Sequence, residues 1–119
     1  MTDHHAPTAA QDFLLAAADA IQQRAEQRDH ADGERSIPRA VAMFNELTGH
    51  RLTEREGWVF LALLKLSRAQ GGRYHADDYV DATGYLGLAG EAAGEEARAA
   101  VRNSHPPGIS LRELEGLAL

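Results

Sequence analysis

The sequence predicts an all-α chain, a small four-helix bundle with a short C-terminal helix. Three observations carry this. Apolar residues recur at helical spacing in long stretches, with no β-alternation anywhere. Stop signals, Gly33, Gly49, Gly71-Gly72 and Pro106-Pro107, divide the chain into helix-sized pieces. At 119 residues, with 44% hydrophobic and 25% charged residues, the chain suits one compact domain. The expected organisation is a loose tail over 1–9, a helical domain over 10–100 and a C-terminal extension over 101–119.

The polar tail contains Pro7. A first helix is expected from Ala10 to Arg28, because it is rich in Ala and Gln, both good helix formers. Phe13, Leu14, Ala17, Ala18, Ile21 and Ala25 form its apolar stripe. A polar loop over 29–35 follows. Ser36 can cap a second helix with Pro38 tolerated in its first turn, and Gly49 is placed to end it. Ile37, Val41, Phe44 and Leu47 give this helix a narrow apolar stripe.

The third helix has the clearest start. Thr53 and Glu56 form a capping box, in which side chains satisfy free backbone donors reciprocally. The helix runs to Gln70. Trp58, Val59, Phe60, Leu61, Ala62, Leu63, Leu64 and Leu66 surround its axis, so it is expected to be buried at the centre of the domain. A fourth helix is expected from His75–Asp77 to Arg98. Asp77 and Asp78 fall in its first turn, where negative charge suits the helix dipole. It is rich in small residues: Ala82, Gly84, Gly87, Ala89, Gly90, Ala92, Ala93 and Gly94. Packing against the third helix or a copy of itself is expected to offset the cost of so many glycines. A last helix, Leu111 to Leu117, places Leu111, Leu114 and Leu117 on one face, to dock on the body or on a neighbouring subunit. A homodimer follows as an expectation, since self-complementary helix faces favour two-fold pairing.

Composition excludes several function classes. Eighteen acidic against 12 basic residues, a formal charge of -6, argues against a broad non-specific grip on nucleic acid. The absence of cysteine excludes disulfides, thiolate metal sites and cysteine nucleophiles. The longest apolar run, Trp58 to Leu64, is far shorter than the roughly 20 residues of a membrane helix. With no secretory pattern at Met1–Pro7, a cytoplasmic location and no membrane partner are expected. The six histidines are scattered through the tail and the loops, and no H-E-x-x-H, Walker or Rossmann motif occurs.

Two charged sets stand out. Lys65 and Arg68 interrupt the apolar third helix at i, i+3. They mark a solvent side, or they grip a phosphate or carboxylate. Asp78, Asp81 and Tyr85 align on one face of the fourth helix. The two carboxylates can hold Mg²⁺, a hard cation that takes oxygen ligands. Alternatively Asp77 and Asp78 cap the helix, and Asp81 pairs with Lys65 or Arg68.

The series Gly33-Glu34-Arg35-Ser36, Arg39-Ala40-Val41, Phe44-Asn45 and Leu47-Thr48-Gly49 resembles a small uncharacterised family of phage and prophage proteins. Leu64-Lys65-Leu66-x-Arg68 and Asp77-Asp78-Tyr79-x-Asp81-x-x-x-Tyr85 extend the resemblance, which covers about residues 20–93. More remotely, Asp78-x-x-Asp81 is similar to the second acidic element of the MazG-like all-α nucleoside triphosphate pyrophosphatases. That resemblance implies a MazG-like arrangement of helices, with Mg²⁺ held at Asp78 and Asp81. The first element of those enzymes, an E-E-x-x-E run, is missing. Leu61-Ala62-x-x-Lys65 and Arg68 stand in its place, and Glu54 and Glu56 lie earlier.

Three functions are therefore weighed. One is a non-catalytic phage-type accessory protein that binds a nucleotide-like ligand or a host protein through Lys65, Arg68, Asp78, Asp81 and Tyr85. The second is a Mg²⁺-dependent pyrophosphohydrolase. The third is a structural interaction module without a small-molecule site.

Overall fold

The computed structural model describes residues 6–29 and 36–104, and the described chain is all helix and connecting turns. Helix α1 spans Ala10–Arg24, α2 Ser36–Thr48, α3 Glu54–Gln70 and α4 Ala76–Asn103. The predicted first helix is thus α1 plus one π-helical stretch, Ala25–Asp29. The predicted Leu111–Leu117 helix lies outside the described residues.

Local chemistry explains the boundaries. Asp12 reaches back at the start of α1 and accepts from the backbone N–H groups of Ala9 and Thr8 at 3.0 and 3.2 Å. Those bonds hold its carboxyl below the usual value. The Thr53–Glu56 capping box forms as expected. Glu56 N–H donates to Thr53 Oγ1 at 3.1 Å, and Thr53 N–H donates to Glu56 Oε1 at 2.8 Å. Gly49 and Gly72 adopt φ of 75° and 81°, left-handed conformations that end α2 and the turn after α3 at little cost for glycine. Between α2 and α3, Asn45 clamps the connection by donating to Leu52 O and accepting from Leu52 N–H, at 2.8 and 2.9 Å. Helix α4 runs five residues past Arg98. In that last stretch Glu95 accepts from Arg98 and Arg102 at 3.2 and 2.9 Å, and these two cations hold its carboxyl below the usual value.

The packing is more open than the sequence suggests. Helix α4 is the hub: α3 lies along one of its faces and α1 along another, while α2, among the described helices, lies against α3. The core is centred on Trp58, Ala89 and Ala92, with Ile37, Val59, Leu61, Tyr85 and Leu88 packed around it. Trp58 is 2% exposed and Ala62 is 1% exposed, so one face of α3 is indeed interior.

The expectation that α3 is buried all round is corrected. Phe60, Leu63, Leu64 and Leu66 are exposed. The physical reason is the layer order: α1 packs on α4 rather than on α3, so no described helix covers the far side of α3. The stripes expected on α1 and α2 are corrected in the same way. Ala17 is buried, but Leu14 and Ala18 are exposed. On α2, Ile37 and Val41 reach Gly57 of α3, whereas Phe44 and Leu47 face outward.

The small residues of α4 divide into two groups. Ala82, Gly84, Ala89 and Ala92 are buried. Gly84 is where α1 comes close: a methyl group added there would touch Ile21 and Ala17 at 3.8 to 3.9 Å. By contrast, a methyl group on Gly87 or Gly90 meets no atom within 4 Å among the described residues. Gly87→Ala and Gly90→Ala are therefore expected to stabilise the chain by about 1 kcal/mol each, the helix-propensity difference, read from urea unfolding midpoints.

Candidate functional site

The site begins with Asp81 on α4. Its Oδ2 lies 2.8 Å from Lys65 Nζ of α3, and its Oδ1 lies 3.4 Å from an Arg24 guanidinium nitrogen of α1. Three helices thus converge on one carboxylate. The side chains of Lys65 and Asp81 are 17% and 19% exposed, so the pair is largely removed from water, while Arg24 is 33% exposed and opens toward solvent. At these exposures the Coulomb attraction is stronger than between surface groups.

An aromatic wall adjoins the charges. The Arg24 guanidinium stands over the Tyr85 ring, 5.5 Å from its centroid. Tyr85 stacks on Trp58, with centroids 6.0 Å apart and planes at 25°. Trp58 Nε1 donates to Glu54 Oε2 at 3.3 Å, one turn earlier on α3. A continuous chain of contacts therefore joins the core to the charge cluster on α4, which α1 and α3 flank.

Helix geometry decides who takes part. Asp81 and Tyr85 are four apart on α4 and point the same way. Lys65 lies on the line of α3 that carries Trp58 and Ala62 and therefore faces α4. Of the five residues singled out from sequence, Lys65 and Asp81 pair directly, and Tyr85 joins them through Arg24. Arg68, three residues after Lys65, is turned toward solvent and makes no side-chain hydrogen bond or ion pair among the described residues. Asp78 is 8% exposed, and among the described residues no hydrogen bond or ion pair joins its side chain to the cluster.

Arg24 is the member that the sequence reading missed. A signal was there. Arg24 follows Ala17 and Ile21 at i+7 and i+3, the stripe that packs on α4, and a cation on such a stripe calls for an anionic or aromatic partner.

Residues 12–93 match a family described as a domain of unknown function, DUF6378. The chain belongs to this family. No curated protein and no solved structure matches the chain. The DUF6378 span contains Arg24, Trp58, Lys65, Asp81 and Tyr85, so the whole cluster lies within the family's domain.

As folded, the DUF6378 cluster suits an anion better than a metal ion. Two cations and one carboxylate leave a net charge of +1 around Asp81. A divalent cation there would face both Arg24 and Lys65 at short range. Among the described residues, no group of three or more His, Asp or Glu side chains gathers where a metal could be held. Among those same residues, no helix is long and apolar enough to cross a membrane.

Proposed function

We propose that this DUF6378 chain is a non-catalytic helical binding protein that takes a nucleotide-like anion in the groove between α1 and α3. The observation that carries this reading is the convergence of Arg24 and Lys65 on Asp81 beside an aromatic ring. Arg24 is one-third exposed and uses one guanidinium nitrogen on Asp81, and a guanidinium's forked donors suit phosphate oxygens. The resemblance of the stretches around Phe44-Asn45, Leu64-Lys65-Leu66 and Asp77-Asp78-Tyr79 to phage and prophage proteins is the ground for a phage-type accessory role.

Thermal shift against nucleotides and cyclic dinucleotides, with and without Mg²⁺, tests the reading. The melting temperature is expected to climb with ligand concentration, following the mass-action law for a ligand that binds only the folded state. Lys65→Ala is expected to lose that response. A full response in Lys65→Ala would remove the groove from consideration. Pyrophosphate release that vanishes in Asp81→Asn would instead establish the MazG-like hydrolase reading, with Asp78 and Asp81 at the metal. A blank panel would leave a helical module that recognises a host protein or serves as a scaffold.

A further inference from the structure

We propose that the outer face of α3 is a homodimer interface, on which α3 of a second copy packs antiparallel. Phe60, Leu63 and Leu64 are 67%, 55% and 42% exposed, on the side of α3 that faces away from α4. Three neighbouring large apolar side chains on one helix face form a contiguous patch, the kind of surface on which proteins associate.

The order of charges along this face selects the partner. Glu56 stands at its N-terminal end, Phe60, Leu63, Leu64 and Ser67 follow, and Arg68 stands at its C-terminal end. Glu56 and Arg68 are both exposed. Glu56 uses Oε1 for both bonds from Thr53, which leaves Oε2 without a described hydrogen bond. Arg68 has no described partner. The acid, apolar, base order is complementary to itself when reversed. An antiparallel copy places each Arg68 end against the other's Glu56 end, with the apolar side chains meeting between them. The midpoint of positions 56 and 68 is position 62, so the two-fold axis passes beside the Phe60–Leu64 patch. A parallel pair would oppose like charges at both ends.

Sedimentation of the full chain across micromolar concentrations reads the mass. The expected result is a dimer of twice 12.9 kDa that dissociates on dilution. Phe60→Glu is expected to sediment as a monomer with unchanged far-ultraviolet circular dichroism, because Phe60 contributes little to the core. Arg68→Glu, a change wholly at the surface, is expected to weaken the dimer roughly tenfold at low salt, with the difference shrinking as salt rises. The chain has no cysteine, so a single nitroxide at Gln70→Cys reports orientation. An antiparallel pair centred on position 62 separates the two labels by about 24 Å along the helix axis, from the 1.5 Å rise per residue. A parallel pair would bring them to about one helix diameter. A wild-type chain that stays monomeric throughout, a dimer that survives Phe60→Glu, or labels at the short distance would each overturn the proposal.

Discussion

Asp81→Asn is expected to destabilise the chain by about 2 kcal/mol, more than loss of either cation beside it. The asymmetry follows from the geometry. Removing the carboxylate leaves two positive groups facing each other in a partly dehydrated groove, whereas Lys65→Met leaves Arg24 still paired with Asp81. The figure sits below that for a fully buried pair because all three side chains retain some contact with water. Lys65→Met is expected to cost about 1 kcal/mol or less. Urea midpoints at constant m-value compare the two variants. The same substitution separates stability from function. Asp81→Asn raises the local charge by one, so an anion that binds the groove should bind the variant more tightly while the fold becomes weaker. Equal midpoints for Asp81→Asn and Lys65→Met would show that the carboxylate does not serve both cations.

Trp58→Ala is expected to have the largest effect of any single change, a loss of roughly 3–5 kcal/mol. Trp58 is the one large side chain at the centre of the described core, where its neighbours Ala89 and Ala92 are too small to fill the space it would vacate. Small domains are stable by only about 5–15 kcal/mol, so the variant should lose a large fraction of its stability and melt well below the wild type. Trp58→Phe is expected to cost less, keeping most of the apolar volume but losing the bond to Glu54. Since Trp58 is the sole tryptophan, melting is followed by far-ultraviolet circular dichroism. In Trp58→Ala the Tyr85 ring loses its stacking partner, so any ligand response in the groove should weaken as well. A midpoint within about 1 kcal/mol of wild type would show that the core lies elsewhere.

Much of the local structure was legible from particular residues. Thr53 and Glu56 announced the start of α3, since a capping box depends only on atoms within one turn. Gly49 announced the end of α2 through its left-handed backbone. The i, i+4 spacing of Asp81 and Tyr85 placed both on one face of α4, and Lys65 on an apolar helix pointed to an anionic partner. Three features depend on long-range packing. Arg68 shares the spacing of Lys65 but is rotated away from α4, and only the packing direction of α3 reveals that. Arg24 is separated from Asp81 by 57 positions in sequence, a distance that no local pattern spans. Phe60 and Leu63 look as fit for burial as Trp58, because hydropathy records the preference of a side chain for a dry site and not whether a neighbour provides one.

The sequence alone therefore determined the helical class, the ends of α2 and α3 and the start of α4, and the opposite charges of α3 and α4, because capping, turn geometry and helical periodicity act over a few residues. The tertiary structure alone decided that α1 joins the charge cluster through Arg24, that α2 lies against α3, and that one flank of α3 is left uncovered by the other described helices. Those outcomes depend on which helix lies beside which, a choice made by competing contacts between segments far apart in the chain.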